Sequence, residues 1–376
     1  MLESRCESPL DAGWRAQAAS AQERILPTGR VVVSCPAPLG TGGLGRHLRE
    51  ILDALDRRAQ PTVCICDSTR RAASDSPRRA PGRAELIEAL TPLARLSPAW
   101  RMWMGSVGFD AYAARRLSTG EHLLAFNGTA AAQFRAARRA RFQSVSLVAA
   151  NSHMRRVVRQ HDRAYRQYPV ERPWATHLLA RNLREYAQAD RIYVASKYIR
   201  ESFQEEGFPD ERLSLFPLTP DPRYVPDGEP RRSSTFDVVY VGSLLVHKGV
   251  PLLLEAFGRL PFPDMRLVLV GGWKTRSMRR FIERACARDA RIEVRPGDPL
   301  EQLRTARLCV HPSYEDGFAY APAEALACGV PVLVSEDTGM KDLIASDRDG
   351  LVLPTGDVNA FAEAIEAAYR GDVPSG

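Results

Sequence analysis

Short apolar runs rich in Val, Ile and Leu recur along the chain, separated by stretches whose apolar residues return every three or four positions. The first kind predicts buried strands over 31–34, 63–66, 123–126, 145–149 and 192–195. The second predicts helices over 46–57, 131–140, 175–189 and 198–206. A second alternating series begins at Asp237, with strands over 237–241, 267–270, 292–294, 308–310, 332–334 and 351–353, and helices starting near Val250, Arg276, Leu300, Pro322 and Val358. Alternation of this kind predicts parallel sheets covered by helices. Residues 217–235, with five prolines and mixed charge, divide the two series. The expected organisation is a disordered segment over 1–29, an N-terminal Rossmann-like domain over 30–216, a linker over 217–235 and a C-terminal Rossmann-like domain over 236–376. The polar stretch 67–82, rich in Arg, Ser and Pro, reads as a loop.

Length supports this division, because 376 residues exceed what one hydrophobic core usually holds. No apolar run approaches the roughly eighteen residues that span a bilayer, and 1–29 carries charges in place of a signal-peptide core. The expected location is cytoplasmic, with a peripheral position at the inner face of the membrane as the variant. Seven cysteines, an odd number, fit a reducing compartment better than a disulfide framework. Cys64-Ile-Cys66 has a metal-like spacing but lies in an apolar run, so it reads as buried strand.

Charge separates the halves. Residues 236–376 hold 16 basic and 20 acidic side chains, net −4, whereas the other 235 residues carry 36 and 25, net +11. An anionic partner met by the N-terminal domain is one reading, and arginine-rich composition the other. Two local features bear on the choice: Trp100-Arg-Met-Trp103, and Arg135, Arg138 and Arg139, spaced to share one helical face. They fit an anionic or lipid-linked partner or peripheral membrane association, with no nucleic acid implied.

Three turns carry candidate chemistry. Gly40-Thr-Gly-Gly-Leu-Gly45 follows the first strand and leads into a helix, where small residues let a ligand approach the backbone. Val241-Gly-Ser-Leu-Leu-Val-His-Lys-Gly249 places Lys248 beside a helix start, an awkward position for a cation unless an anion binds there. Glu315-Asp-Gly-Phe-Ala-Tyr-Ala-Pro-Ala-Glu324 leads from a strand into a helix expected to begin at Pro322 and to stop at Gly329 and Pro331.

Together these stretches resemble the family 4 (group 1) retaining glycosyltransferases of the GT-B fold, whose two Rossmann-like βα domains face each other across a cleft. The resemblance spans about 30–365 and is strongest in the C-terminal domain. It implies a retaining, metal-independent glycosyltransferase that moves a sugar from a nucleotide-diphosphate sugar to a glycan, lipid-linked or other hydroxyl acceptor. The nucleotide sugar is a co-substrate; no cofactor and no metal are implied. Glu324 would accept from ribose hydroxyls, and Asp316 would sit by the donor sugar, with Glu315 as the alternative. Gly317, Phe318 and Ala319 would approach the sugar and phosphates, as would Gly42 and Gly43 from the other domain. Lys248 would hold the diphosphate. His153 resembles a family histidine near the donor sugar, with a packing role as the alternative.

Departures are equally specific. Ser243 replaces the arginine that pairs with the lysine, leaving His247, Lys274 or Arg276 to supply the missing charge. Ala319 replaces a second glycine, and the chain stops at Gly376 where family members continue. These support the alternative of a sugar-nucleotide-binding subunit with weak or no turnover. Glu185 to Asp190 matches a recurring family stretch and is assigned to packing and helix termination. Asp347-Arg-Asp349 mimics a metal-binding Asp-x-Asp but is expected in a turn.

Overall fold

The computed structural model describes residues 10, 12–67, 98–117, 120–226 and 235–372. They form two compact units: Gln17–Val158 with Pro173–Leu218, and the described residues of Met1–Ala16 with Arg159–Arg172 and Thr219–Gly376. Most of the loop expected over 67–82, and 227–234 of the expected linker, lie outside the described residues.

In the N-terminal unit, strands β1 (Val31–Pro38), β2 (Thr62–Asp67), β3 (His122–Phe126), β4 (Ser144–Ala149), β5 (Arg191–Val194) and β6 (Leu213–Leu215) form one parallel sheet in the order β2-β1-β3-β4-β5-β6. Val31 pairs with Thr62 on one side and His122 on the other. Both faces of such a strand are covered, which is why Val31, Val32 and Val33 read as an unbroken apolar run and are all buried. Cys64 and Cys66 are buried in β2, as the strand reading requires. Helices α1 (Ala12–Ile25), α2 (Gly42–Arg57), α3 (Pro98–Ala114), α4 (Ala131–Arg139), α5 (Met154–Gln167), α6 (Thr176–Gln188) and α7 (Lys197–Gln204) complete this part of the chain.

Helix α1 occupies 12–25 of the segment expected to be disordered, and 1–9 and 11 lie outside the described residues. Its sequence has no clear apolar stripe, but alanine, glutamine and arginine favour helix. Specific polar contacts fasten it: Arg15 donates to Pro220 O at 3.1 Å and Tyr224 O at 3.2 Å, and Gln22 donates to Pro217 O at 2.7 Å. The arginine-rich α5 also escaped the periodicity reading, and its residues from Arg159 onward fold with the C-terminal unit, not with 30–216.

The C-terminal unit repeats the plan with β7 (Phe236–Val241), β8 (Met265–Val270), β9 (Ile292–Arg295), β10 (Leu308–His311), β11 (Val332–Ser335) and β12 (Gly350–Leu353) in the order β12-β11-β10-β7-β8-β9. Its helices are α8 (Val250–Gly258), α9 (Arg276–Arg288), α10 (Leu300–Thr305), α11 (Tyr320–Ala327) and α12 (Val358–Arg370). The core joins β7, β8, α8 and α12 with Ala164 and Tyr165 of α5. Among the described residues, no helix is long and apolar enough to cross a membrane.

One buried polar network organises the N-terminal unit. Glu185 of α6 accepts from the amides of Gly128 at 2.6 Å and Ala130 at 2.9 Å, and Asp110 of α3 accepts from those of Ala132 at 2.7 Å and Gln133 at 2.9 Å. Arg181 pairs with Asp110 and lies 3.2 Å from Glu185. Two carboxylates thus close the N-terminus of α4, which supports the packing role expected for Glu185.

Burial pushes the Glu185 carboxyl up to about 7, against the pull of the Ala130 amide and Arg181. A raised acid binds its proton more tightly folded than unfolded. Its contribution is full below the ordinary value of 4.5 and is lost as pH rises through about 7. The stability of the native chain relative to Glu185→Gln should therefore fall between pH 5 and pH 8. Urea unfolding of both proteins at the two pH values measures this, and a pH-independent difference would contradict it.

Candidate active site

Lys248 ends the loop between β7 and α8. Its Nζ donates to Asp316 Oδ2 at 2.8 Å and to Glu315 O at 3.1 Å. Only 19% of the lysine side chain and 20% of the aspartate side chain are exposed, so this is no surface pair. His311, at the end of β10, approaches the same Oδ2 through Nε2 at 3.1 Å. Burial alone would raise the Asp316 carboxyl, but Lys248 and His311 outweigh it and hold the group well below the usual carboxylate range. Asp316 is therefore an ionised acceptor across the neutral pH range. Of the two candidate acids, it faces the lysine with its side chain, and Glu315 contributes a carbonyl.

The loops after β7 and β10 are joined through their backbones. Tyr314 N–H donates to His247 O at 2.9 Å, and Ser313 Oγ donates to His247 O at 3.3 Å and Glu315 O at 2.8 Å. Gly249 has φ 73°, and a Cβ there would lie 1.9 Å from Pro312 O. The Lys248-Gly249 pair thus has a steric meaning: any larger residue after the lysine would drive the two loops apart.

Helix α11 begins at Tyr320, two residues before the expected Pro322, which sits in the first turn where its missing N–H costs nothing. Ala319 precedes it at φ 63°, the left-handed conformation that a glycine would adopt freely. Phe318, Ala319 and Glu324 are buried. Asp316 is tied to the turn after β11: its N–H donates to Asp337 O at 3.1 Å, and its carbonyl accepts from Gly339 N–H at 3.0 Å. Gly317 lies between these anchored positions in the same loop.

Behind the two loops stands a layer that the sequence reading missed. Gln160 of α5 donates to Asp337 at 2.8 Å. The His161 ring stacks on His247 at 4.1 Å, and Tyr165 Oη lies 3.2 Å from His247 Nδ1. Glu171 accepts from Val246 N–H at 3.1 Å and Thr275 Oγ1 at 2.5 Å, linking the loops after β7 and β8. Burial lowers both histidines, His161 to about 3 and His247 well below its ordinary value. His247 is consequently neutral and does not supply the charge that Ser243 lacks; Lys274 and Arg276 are exposed. Ser243 accepts through its carbonyl from Tyr240 Oη at 3.0 Å. The sequence signal available was Val157, His161, Ala164 and Tyr165, apolar or aromatic positions at helical spacing.

Other candidates lie elsewhere. Gly42 and Gly43 open α2 in the N-terminal unit, where Gly42 has φ 62° and the neighbouring Gly45 leaves no room for a Cβ, which would lie 2.0 Å from Pro38 O. His153 is 1% exposed, with its ring 4.8 Å from Tyr186, 5.1 Å from Phe203 and 5.8 Å from Phe208. Enclosed in this way, it holds a packing position and offers no open face to a sugar hydroxyl. Asp349 closes a turn by accepting from the Ala345 and Ser346 amides, as expected for a position outside any site.

The C-terminal unit therefore brings Lys248, Asp316, Gly317, Phe318 and Ala319 onto adjoining turns at the ends of a parallel sheet, with Glu324 in the helix that follows. With the second six-stranded parallel sheet, this defines the two Rossmann-like units of a GT-B protein. Residues 226–373 match the family described as "Glycosyl transferases group 1". A D-inositol 3-phosphate glycosyltransferase of Paenarthrobacter aurescens is 28% identical over 194 residues, covering 49% of this chain and 44% of that protein. The O-antigen chain mannosyltransferase B of Escherichia coli is 32% identical over 143 residues, covering 36% of this chain and 37% of that one. The chain thus spans less than half the length of these relatives. Among solved structures, sucrose-phosphate synthase from Thermosynechococcus elongatus has a TM-score of 0.59 at 21% identity, covering 92% of this chain and 90% of that one. Anabaena HepE in complex with UDP-glucose has 0.62 at 15%, covering 91% and 90%. At such identities these two structures establish the fold.

Left-handed backbone at a residue with a Cβ costs roughly 1–2 kcal/mol, part of which glycine gives back through its unfolded-state freedom. Ala319→Gly is expected to raise stability by up to about 1 kcal/mol. Chemical denaturation measures it; a destabilised variant would show that Ala319 contributes packing worth more than the strain.

Proposed function

We propose that the protein is a retaining, metal-independent glycosyltransferase that uses a nucleotide-diphosphate sugar held mainly by the C-terminal unit. The observation that carries this reading is the partly enclosed Lys248 beside Asp316, on loops held together by Gly249 and lying within the matched 226–373. Lys248 neutralises the charge that grows on the diphosphate as it leaves. Asp316, ionised and acceptor-only, takes hydrogen bonds from hydroxyls of the donor sugar, and Glu324 from those of the ribose. The acceptor hydroxyl attacks the anomeric carbon from the side the diphosphate leaves. Its oxygen forms the new bond as the bond to the diphosphate oxygen breaks, and its proton passes to that leaving oxygen. Retention and metal independence rest on the resemblance. The proposed setting is cytoplasmic, in keeping with the odd number of cysteines, and an anionic acceptor met by the N-terminal unit agrees with the division of charge between the two halves.

The competing reading is a sugar-nucleotide-binding subunit with weak turnover, favoured by the strained Ala319 and by Ser243 in place of a second cation. UDP, GDP and ADP and their sugars, screened for thermal stabilisation, identify the donor, and transfer or hydrolysis with the best ligand separates the two readings. Lys248→Ala and Glu324→Ala should each lower transfer by about a hundredfold, because each removes a charged partner worth roughly 2–4 kcal/mol in the reacting complex. EDTA should leave the rate unchanged. Near-native activity in both variants, or strict dependence on Mg²⁺ or Mn²⁺, would sink the assignment.

A further inference from the structure

Two features of the basic N-terminal half, over thirty positions apart in sequence, meet in the fold. Trp103 of α3 and Arg135 of α4 line one cavity of ≈ 500 Å³, together with His177, Arg181 and Arg184 of α6. The three helices contribute residues at helical spacing: Trp103, Val107 and Asp110 from α3, and His177, Arg181 and Arg184 from α6. Its volume lies within the roughly 300–1,000 Å³ of small-ligand sites.

Its chemistry is divided between base and rim. At the base, Arg181 is spent on Asp110 and donates to Gly128 O at 2.6 Å, so it is structural. The N-terminus of α4 is likewise occupied by Asp110 and Glu185. At the rim, Arg135 and Arg184 are exposed and, among the described residues, have no acidic partner. The contrast with Arg138 is informative, because it lies on the same helix and is paired with Asp190. Trp103 stays 37% exposed, and its indole meets Trp100 edge to face at 5.5 Å. An aromatic face beside two uncommitted guanidinium groups suits a ligand with one flat, weakly polar side and one anionic group.

We propose that this three-helix pocket binds an anionic saccharide through Arg135 and Arg184, with the sugar face against Trp103. The proposal deepens the transferase reading by naming a class of acceptor, and it rests on that reading only for the word acceptor. Binding is testable without turnover. Glucuronic acid, glucose 6-phosphate and uncharged glucose are titrated against the full chain, following tryptophan fluorescence, with thermal stabilisation by the nucleoside diphosphate as a separate control of the donor site. At least one anionic sugar should bind more tightly than glucose. Arg135→Ala and Arg184→Ala should each weaken that binding about tenfold, the loss of one charge-assisted contact. Arg139→Ala, which removes the same charge from the same helix outside the pocket, should change it less than twofold. Trp103→Phe should remove most of the fluorescence response while keeping nucleotide stabilisation.

An equal loss in Arg139→Ala would replace the pocket by a diffuse basic field. Glucose binding as tightly as both anionic sugars, or no binding by any of the three, would overturn the proposal. Retention on phosphatidylglycerol-containing vesicles that is abolished by Arg135→Ala, with no anionic sugar bound, would assign the arginines to a lipid surface and also overturn it. Saccharide binding without nucleotide stabilisation would keep the pocket and remove the transferase reading.

Discussion

The ion pair between Lys248 and Asp316 is the constraint on which the C-terminal unit's motif-bearing turns depend. Neither charge is open enough to water to be held by solvent alone, so each requires the other, and the loops carrying them must stay together. The backbone enforces this. Gly249 lets its loop touch Pro312 O, Tyr314 and Ser313 donate to His247 O, and the Asp316 peptide is held on both sides by Asp337 and Gly339. His311 lies against Asp316 and stacks on Tyr240 at 6.2 Å, and Tyr240 donates to Ser243 O, so the position of Asp316 is linked back to the start of the lysine loop. A lysine preset in this way can meet an anion with little rearrangement, and its present partner is a carboxylate that an anionic ligand would have to rival.

The layer formed by 159–172 explains how such a pair stays fixed. Glu171 joins the loops after β7 and β8, Gln160 reaches Asp337, and the stacked rings of His161 and His247 fill the space between α5 and the lysine loop. Keeping both imidazoles neutral matters, because a second cation behind Lys248 would repel it. Burial achieves that here, and Lys248 itself lowers His161 further. The layer comes from a helix that begins in the N-terminal unit, so a substitution in a segment far from the motifs can reach the candidate site.

How much of this was legible follows from which kind of interaction left a mark in the sequence. Strands buried on both faces, such as 31–33 and 308–310, must be apolar throughout, and they were read within a few residues. The meeting of Lys248 and Asp316 was legible through the motifs that carry the family resemblance. Helices α1 and α5 were not, since α1 is mainly alanine and polar residues, arginine and glutamine make up half of α5, and the fold holds them through side chains reaching backbone carbonyls and distant carboxylates. Pairing at that distance has no local period. His153 stayed open between two roles because a histidine after a strand looks the same in sequence whether its ring meets a ligand or, as here, three aromatic neighbours.

Helix capping carries the same division further. Helices α7, α9 and α12 start at Ser196, Thr275 and Asp357, whose side chains accept from their own first turns. Helix α4 lacks such a residue but takes two carboxylates from its neighbours instead. By contrast, α2, α8 and α11, which follow the three turns singled out by the motifs, begin at Thr41, Gly249 and Ala319 with no side-chain cap and no acid in the first turn. Helix α6 shares that lack at Ala175, so an open N-terminus is not sufficient to mark a site. What distinguishes α8 and α11 is that a start without a side-chain cap coincides with left-handed backbone and with the Lys248–Asp316 pair. Stability would favour a serine or aspartate at each start, as at α7 and α12, and an acidic cap there would occupy first-turn amides and repel any anion that approached them.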